Sequence, residues 1–113
     1  MRSTRYVVRD REPDDLGRYS DPPLLVLASL AGGPKHGHAM IEDIVALSGT
    51  RLGPGTLYGA ISRLERLGMI EPLPSSERRQ PYRLTPLGAQ RLRAQLATLG
   101  QFTRAGARRL KAL

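Results

Sequence analysis

Apolar positions recur along this chain with helical spacing over most of its length. Residues 24–31 are almost wholly apolar, which predicts a helix that is buried on most of its sides. Asp21 suits the N-cap of this helix, Pro22 suits its first position, and the Gly-Gly-Pro run at 32–34 would end it. Residues 36–47 carry apolar side chains three and four positions apart and predict a second helix, which Gly49 would terminate.

The third predicted helix has two faces of different chemistry. Pro54 opens it, and Leu57, Ile61 and Leu64 fall on one stripe that would face a core. With about 100° per residue, the opposite face collects small, hydroxyl and cationic side chains and no aliphatic one. Its members are Tyr58, Gly59, Ser62, Arg63 and Arg66. Such a helix packs on one side and offers hydrogen-bond donors on the other, and Gly68 would end it.

Two short strands are predicted after this helix. Residues 69–73 and 81–85 flank a polar, basic segment that contains Arg78 and Arg79, which is the pattern of a β-hairpin. Pro72 and Pro81 restrict both strands to a small edge ribbon, because proline cannot donate a hydrogen bond to a strand ladder.

The C-terminal segment predicts one long helix, with Thr85 as its cap and Pro86 at its first position. Apolar or small residues then recur at alternating spacings of three and four, which is the pattern of a heptad seam. A small core cannot cover the whole of this helix, so its outer part would contact a second helix in a dimer. We expect that contact to include Leu92, Leu96, Leu99, Phe102, Thr103 and Leu110.

The order of these elements is typical of the winged helix-turn-helix, in which three helices precede a β-hairpin. The predicted fold is therefore mainly α with a small β-ribbon, a winged helix-turn-helix followed by a long C-terminal dimerisation helix. We expect a mobile N-terminal arm at 1–20, the winged helix-turn-helix DNA-binding domain at 21–85 and the dimerisation helix at 86–113.

Composition narrows the classes of function. A chain of 113 residues predicts one compact domain, and the absence of cysteine removes disulfides, thiolate metal sites and cysteine nucleophiles. The net charge of +8 favours a polyanion such as nucleic acid, although the many arginines also fit the codon usage of a GC-rich genome. Residues 84–113 hold six cations and no acid, so most of the excess lies in the predicted dimerisation helix. The charge is therefore weak evidence for DNA binding.

The polar face of the third helix has the chemistry that reads DNA. The major groove admits one α-helix, and Ser62 and Arg63 could reach base edges, where arginine suits guanine. Tyr58 could donate to a phosphate or pack against a sugar, and Thr56 with the free amides at the helix start suits another phosphate. The structural alternatives are Tyr58 at the edge of the core, and Ser62 and Arg63 on a solvated helix face.

Four more residues complete the predicted DNA-binding set. Gly59 and Arg66 lie on the same face of the third helix, with Arg66 further from its start. Arg78 and Arg79 at the hairpin tip could lie along the DNA backbone or enter the minor groove. The alternative for the tip is a charged turn that keeps an edge strand soluble.

Five sequence blocks carry a resemblance to a known family. They are LASL at 27–30, KHGH at 35–38, GPGTLY at 53–58, LERLGMI at 64–70 and YRLTPLG at 82–88. With these blocks the chain resembles PadR-type transcriptional regulators over residues 22–113, in the short form that has a single C-terminal dimerisation helix. His38 stands where the family usually has tyrosine, and Gly53 where serine is frequent.

The resemblance implies a cytoplasmic, nucleoid-associated bacterial homodimer that represses transcription from a near-palindromic operator in double-stranded DNA. In such proteins the third helix enters the major groove, the hairpin is the wing, and the last helix packs on the partner subunit. Some members release DNA when a small hydrophobic compound binds between the subunits. Multidrug-binding relatives stack flat ligands on a tryptophan, which this chain lacks, and Phe102 is the comparable aromatic residue.

Other classes of function have less support in the residues. His36 and His38 lie two positions apart with no obvious third ligand, so we expect no metal site. The alternative for His36 is a hydrogen bond to the backbone near the start of the second helix. We expect neither a cofactor nor an enzyme, because no catalytic constellation or phosphate loop is present, and no membrane span, because no apolar run reaches about 18 residues. The rival function is a winged-helix protein-interaction module without specific DNA binding, against which Arg63 and Arg66 argue.

Overall fold

The computed structural model describes residues 21–76 and 78–113, so the N-terminal arm expected at 1–20 lies outside the described residues. Four helices and three short strands follow one another along the described chain. In order they are α1 (Pro22–Ala31), β1 (Lys35–His36), α2 (Gly37–Ser48), α3 (Pro54–Arg66), β2 (Ile70–Pro72), β3 (Pro81–Leu84) and α4 (Pro86–Lys111). This is the mainly α architecture with a small antiparallel sheet that the sequence predicts, and the winged helix-turn-helix order is confirmed.

The sheet has one strand more than the sequence predicts. Its order is β1-β3-β2, and β3 pairs antiparallel with both neighbours. The predicted ribbon is present as β2 and β3, and the sequence missed β1 because that strand is only two residues long and shows no alternation of apolar and polar positions. Pro81 is tolerated in the central strand because it is the first residue of that strand. The pairing of His36 with Pro81 ties the start of α2 to the base of the hairpin.

The hydrophobic core is built around α1. This helix buries the side chains of Leu24, Leu25, Val26, Leu27 and Leu30, and it contacts α2, α3, α4 and β3. The other helices contribute one stripe each, and β2 contributes the buried Ile70. Each fully buried aliphatic side chain stabilises the fold by about 1.5–3 kcal/mol relative to an exposed one. An almost wholly apolar α1 is therefore the expected centre of so small a domain.

A polar triad links α1, β1 and α2 beside this core. The hydroxyl of the fully buried Ser29 donates to Asp43 Oδ2 at 2.7 Å. The Nζ atom of Lys35 lies 3.7 Å from the same carboxylate oxygen and donates to the backbone carbonyls of Ser29 and Gly33. Every polar group of the triad therefore has a partner, which is what burial of such groups requires.

The helix ends follow the capping residues with one exception. Gly49 and Gly68 adopt the left-handed conformation, with φ of 75° and 76°, after α2 and α3. Thr85 caps α4 by accepting from the amide of Gly88 at 3.1 Å. Asp21 occupies the N-cap of α1 but makes no side-chain cap bond, so the expected cap was wrong in its chemistry. Pro23 at the second helical position removes one of the two amides that an N-cap side chain can bond, and the side chain of Asp21 does not bond the other, that of Leu24.

The start of α4 packs closely against the segment that leads into β2. A Cβ atom on Gly88 would overlap the carbonyl oxygen of Met69, so only glycine permits this approach. From there α4 leaves the core: Leu92 is buried in the core of the chain itself, whereas Leu96, Phe102 and Leu110 are 50%, 76% and 70% exposed. Leu99, near the middle of this helix, is still partly buried against the core, whereas the large apolar side chains beyond it are exposed. Among all the described residues, no helix is long and apolar enough to cross a membrane.

Candidate nucleic-acid interface

The outer face of α3 lies opposite a stripe of buried side chains on the same helix. Leu57, Ile61 and Leu64 are at most 2% exposed and fix the rotation of α3 on the core. Because the helix repeats every 3.6 residues, this leaves Gly59, Ser62 and Arg66 pointing outward. All three are exposed. The sequence therefore placed the centre of this face correctly, whereas their contacts with DNA stay predictions.

Thr56 and Arg63 lie on one flank of that face, next to the start of α1. Both border a shallow depression together with the segment 21–23, Gly59 and Ala60. Arg63 also reaches a larger groove of about 450 Å³ between α1, α3 and α4, where Arg91 is on the opposite side. Arg63 is thus at the edge of the outward face, and the periodicity of α3 alone did not reveal this groove because α1 and α4 form its other walls.

Tyr58 lies on the other flank of the outer face, against the start of α2. Its ring covers Gly37 so closely that a Cβ atom at position 37 would overlap the ring and its hydroxyl. The side chain is nevertheless 49% exposed, and its hydroxyl has no hydrogen-bond partner within 21–76 and 78–113. The ring of Tyr58 thus packs on backbone while its hydroxyl is open, and its contact with DNA stays a prediction.

The hairpin, here the wing, carries the remaining predicted residues. Arg78 and Arg79 are exposed at its tip. Arg79 reaches back to His36, with 3.4 Å between its Nη1 atom and Nε2 of that ring. Lower on the wing, Arg83 Nε donates to Glu71 Oε2 at 2.6 Å, so the charge of this arginine is compensated.

The charges around the site divide into paired and unpaired cations. Arg51 forms two hydrogen bonds with the Glu42 carboxylate, at 3.1 and 3.2 Å, and this contact lowers the pKa of Glu42. Arg63, Arg66 and Arg78 form no ion pair with any other described residue. Positive charge is therefore uncompensated where the site faces outward.

Two histidines at the start of α2 extend the site. The expected backbone contact of His36 is confirmed, since its Nδ1 atom accepts from the amide of Ala39 at 3.3 Å. The ring of His38 is nearly parallel to that of His36, with centroids 6.5 Å apart. The described residues contain no group of three His, Cys, Asp or Glu side chains that could hold a metal ion. The sequence missed the contact between His36 and Arg79, because that contact depends on the unpredicted strand β1.

Burial acts on one ionisable group at the base of the wing. Tyr82 of β3 is partly buried, which raises the pKa of its phenol, and the neighbouring Glu65 carboxylate adds to this effect. Its hydroxyl therefore stays protonated at neutral pH and serves as a packing residue of the core margin.

Comparison with known proteins gives concordant matches. The model of the transcriptional regulator PadR-like family matches residues 26–94. An uncharacterised 37.1 kDa protein in a transposon of Streptomyces fradiae is 42% identical over 86 residues, which are 76% of this chain and 25% of that protein. The chain thus spans about a quarter of the length of this curated relative.

Two solved structures illustrate the similarity in fold. A PadR family transcriptional regulator from Eggerthella lenta is 27% identical, with a TM-score of 0.67 and coverage of 78% of this chain and 80% of the other. A PadR family transcription regulator from Clostridium difficile is 22% identical, with a TM-score of 0.71 and coverage of 79% and 97%.

Proposed function

The chain belongs to the PadR-like family of transcriptional regulators, and on that premise we propose that it is a homodimeric repressor of a near-palindromic operator. Regulation of transcription through DNA binding is what the family does. We further propose which residues contact DNA, that the chain forms a dimer, that the dimer represses transcription, and that a signal releases it from DNA. The observation that carries the proposal is the outward face of α3, which offers donors and uncompensated charge on a helix held rigidly by its buried stripe.

We propose that this face enters the major groove. Ser62 and Arg66 lie at its centre and Arg63 at its edge, so the three span the width of a recognition surface. Base edges in the major groove present a distinct pattern of donors and acceptors for each base pair, which such side chains can discriminate. In this proposal Thr56 at the helix start and Tyr58 on the flank contact phosphates, and the wing follows the backbone with Arg78 and Arg79.

The dimer forms, in this proposal, through the outer part of α4. This helix has 26 residues and is therefore about 39 Å long, yet the core covers only its first half. The exposed Leu96, Phe102 and Leu110 continue the seam that Leu92 begins, and they would pack on the partner's copy. We accordingly propose that residues 21–85 form the DNA-binding unit and that residues 86–113 form the dimerisation helix.

A dimer built in this way would have two α3 helices related by a two-fold axis. Two-fold symmetry of the protein matches pseudo-palindromic symmetry of an operator, with half-sites separated by about one helical turn of DNA or a multiple of it. A hydrophobic effector that binds between the α4 helices beside Phe102 would change this separation and release the DNA. Such a protein acts on the nucleoid in the cytoplasm.

A salt titration separates this proposal from the protein-interaction module. The purified protein is titrated with a genomic duplex pool at increasing salt, and the retained fragments are then compared with unbound ones. A repressor retains a minority of sequences, and its affinity for them falls steeply with salt because phosphate contacts release counterions. Equal, weak retention of all sequences contradicts the proposal and favours the protein-interaction module.

A further inference from the structure

The protonation of His36 follows from its hydrogen bond to the start of α2. Its Nδ1 atom accepts from the amide of Ala39, so this nitrogen carries a lone pair. A neutral imidazole has one N–H and one lone pair, and the proton must therefore be on Nε2. His36 thus caps α2 with one nitrogen and presents a donor with the other.

The Nε2–H of His36 faces a second donor. Arg79 Nη1 lies 3.4 Å away, and a guanidinium has donors and no acceptor. With this tautomer the contact is not a hydrogen bond, because the two nitrogens that face each other are both donors. The pairing of His36 with Pro81 in the sheet brings His36 to the base of the wing, two residues along the chain from Arg79.

A third donor lies beside the residue that follows His36. The hydroxyl of Tyr58 lies over Gly37, the residue next to His36, and it has no hydrogen-bond partner among the described residues. Neither Arg79 nor His36 forms an ion pair with a described carboxylate. The donors of His36 and Arg79 therefore adjoin each other with no acceptor from a described carboxylate, and an oxygen with several lone pairs would satisfy both.

We propose that His36 and Arg79 together bind one phosphate of the DNA backbone. The two donors would each bind a non-bridging oxygen, His36 without net charge and Arg79 with a full charge. This shared contact would tie the wing and the start of α2 to the same strand. The inference rests on the proposed DNA binding and assigns to His36 a role that its capping bond alone does not include.

Two substitutions of His36 separate the phosphate contact from the cap. Asparagine places an acceptor where Nδ1 is and is a good N-cap, but it has no donor at the position of Nε2. Glutamine reaches the position of Nε2 with its amide N–H and is a poor cap. We expect His36→Asn to keep the thermal midpoint and to bind an operator duplex about tenfold more weakly. His36→Gln should lower the midpoint and keep affinity within about threefold of the original.

A double-mutant cycle with the wing tests whether the phosphate is shared. Arg79→Ala alone should weaken binding about tenfold, and adding His36→Asn should weaken it by no more than about threefold further, because one contact has then already been lost. Arg78→Ala is the matched control, since this neighbouring arginine does not contact His36. Its loss should multiply with that of His36→Asn. Arg79→Ala should also reduce the slope of log affinity against log salt by about 1, whereas His36→Asn should not change it.

The outcomes are distinguishable. Wild-type affinity in His36→Asn, or full multiplication of the losses in His36→Asn with Arg79→Ala, overturns the shared phosphate while the proposed function stands. A wild-type protein that prefers no duplex refutes the proposed function itself. If His36→Asn unfolds, the nitrogen resonances of the His36 imidazole in the folded wild-type protein decide: a shift of Nε2 on adding the operator supports the contact, and an unchanged Nε2 contradicts it.

Discussion

Tyr58 of α3 lies across the backbone of Gly37 at the start of α2, with no room for a side chain between them. The two helices of the helix-turn-helix therefore meet through an aromatic ring on bare backbone. This contact fixes where the Tyr58 hydroxyl points. It connects Gly37 of α2 with a residue that we propose contacts DNA.

Gly37→Ala should displace Tyr58 and weaken DNA binding without unfolding the protein. The atoms that the new methyl group would meet belong to the far end of a half-exposed side chain, which can rotate away. Because alanine is also favourable in a helix, we expect a change in stability within about 1 kcal/mol. Thermal unfolding and operator titration measure the two effects. Tyr58→Phe is the control: a similar loss of affinity in both variants assigns the effect to the hydroxyl, and unchanged affinity in both removes Tyr58 from the interface.

Gly88→Ala should destabilise the fold strongly. Here the methyl group would overlap the backbone carbonyl of Met69, which cannot move without shifting β2. Forcing such an overlap costs about 1–3 kcal/mol or more, measurable as a lower midpoint in denaturant unfolding. Gly106→Ala lies on the same helix with no neighbour within 4 Å, and it should not destabilise. If Gly88→Ala were as stable as Gly106→Ala, the close approach of α4 to β2 would be wrong.

Arg63→Ala should weaken operator binding by about 1–3 kcal/mol and relax the preference at one base pair, if the side chain reads guanine from the edge of α3. Stability should change little, because Arg63 is exposed and forms no ion pair with the described residues. Arg51→Ala is a matched control, since Arg51 is already paired with Glu42. Competition binding against duplexes with single base changes provides the readout. Unchanged affinity together with unchanged base preference would remove Arg63 from the reading face and leave Arg66 and Ser62.

Leu96→Glu should break the dimer while leaving the subunit folded. Leu96 continues the seam of α4 but is 50% exposed, so the subunit core does not depend on it. A carboxylate in a helix–helix seam would be desolvated without a partner, which costs several kcal/mol. Sedimentation equilibrium at micromolar concentration measures the effect, with Gln101→Glu on the exposed face of the same helix as the control. A wild-type protein that sediments as a folded monomer would contradict the dimer outright.

The sequence predicted the helix starts and ends that are marked by proline and glycine. The starts of α1, α3 and α4 follow from Pro22, Pro54 and Pro86, because proline is favoured where the first amides have no helical partner. The end of α2 follows from Gly49. These residues act locally, so their effect can be deduced without knowing what packs against them.

The parts that depend on contacts across the chain could not be predicted in this way. The strand β1 exists because Lys35 and His36 pair with β3, more than forty positions later, and not because of their own pattern. The meeting of His36 with Arg79 follows from that pairing. The position of Arg63 at a groove is likewise set by α1 and α4, which its own helical periodicity does not contain.

Selection of operators from a pool of random duplexes by the purified protein tests whether it reads DNA sequence as a dimer. A homodimer that reads DNA with the outer face of α3 should enrich a near-palindrome whose half-sites are separated by about 10 base pairs or a multiple of that distance. The enrichment should persist in Leu47→Ala, which changes an exposed residue of α2 away from the site, and be lost or altered in Arg63→Ala with Arg66→Ala. A pool that remains random after repeated rounds, with the wild-type protein folded throughout, would contradict sequence-specific regulation by this chain.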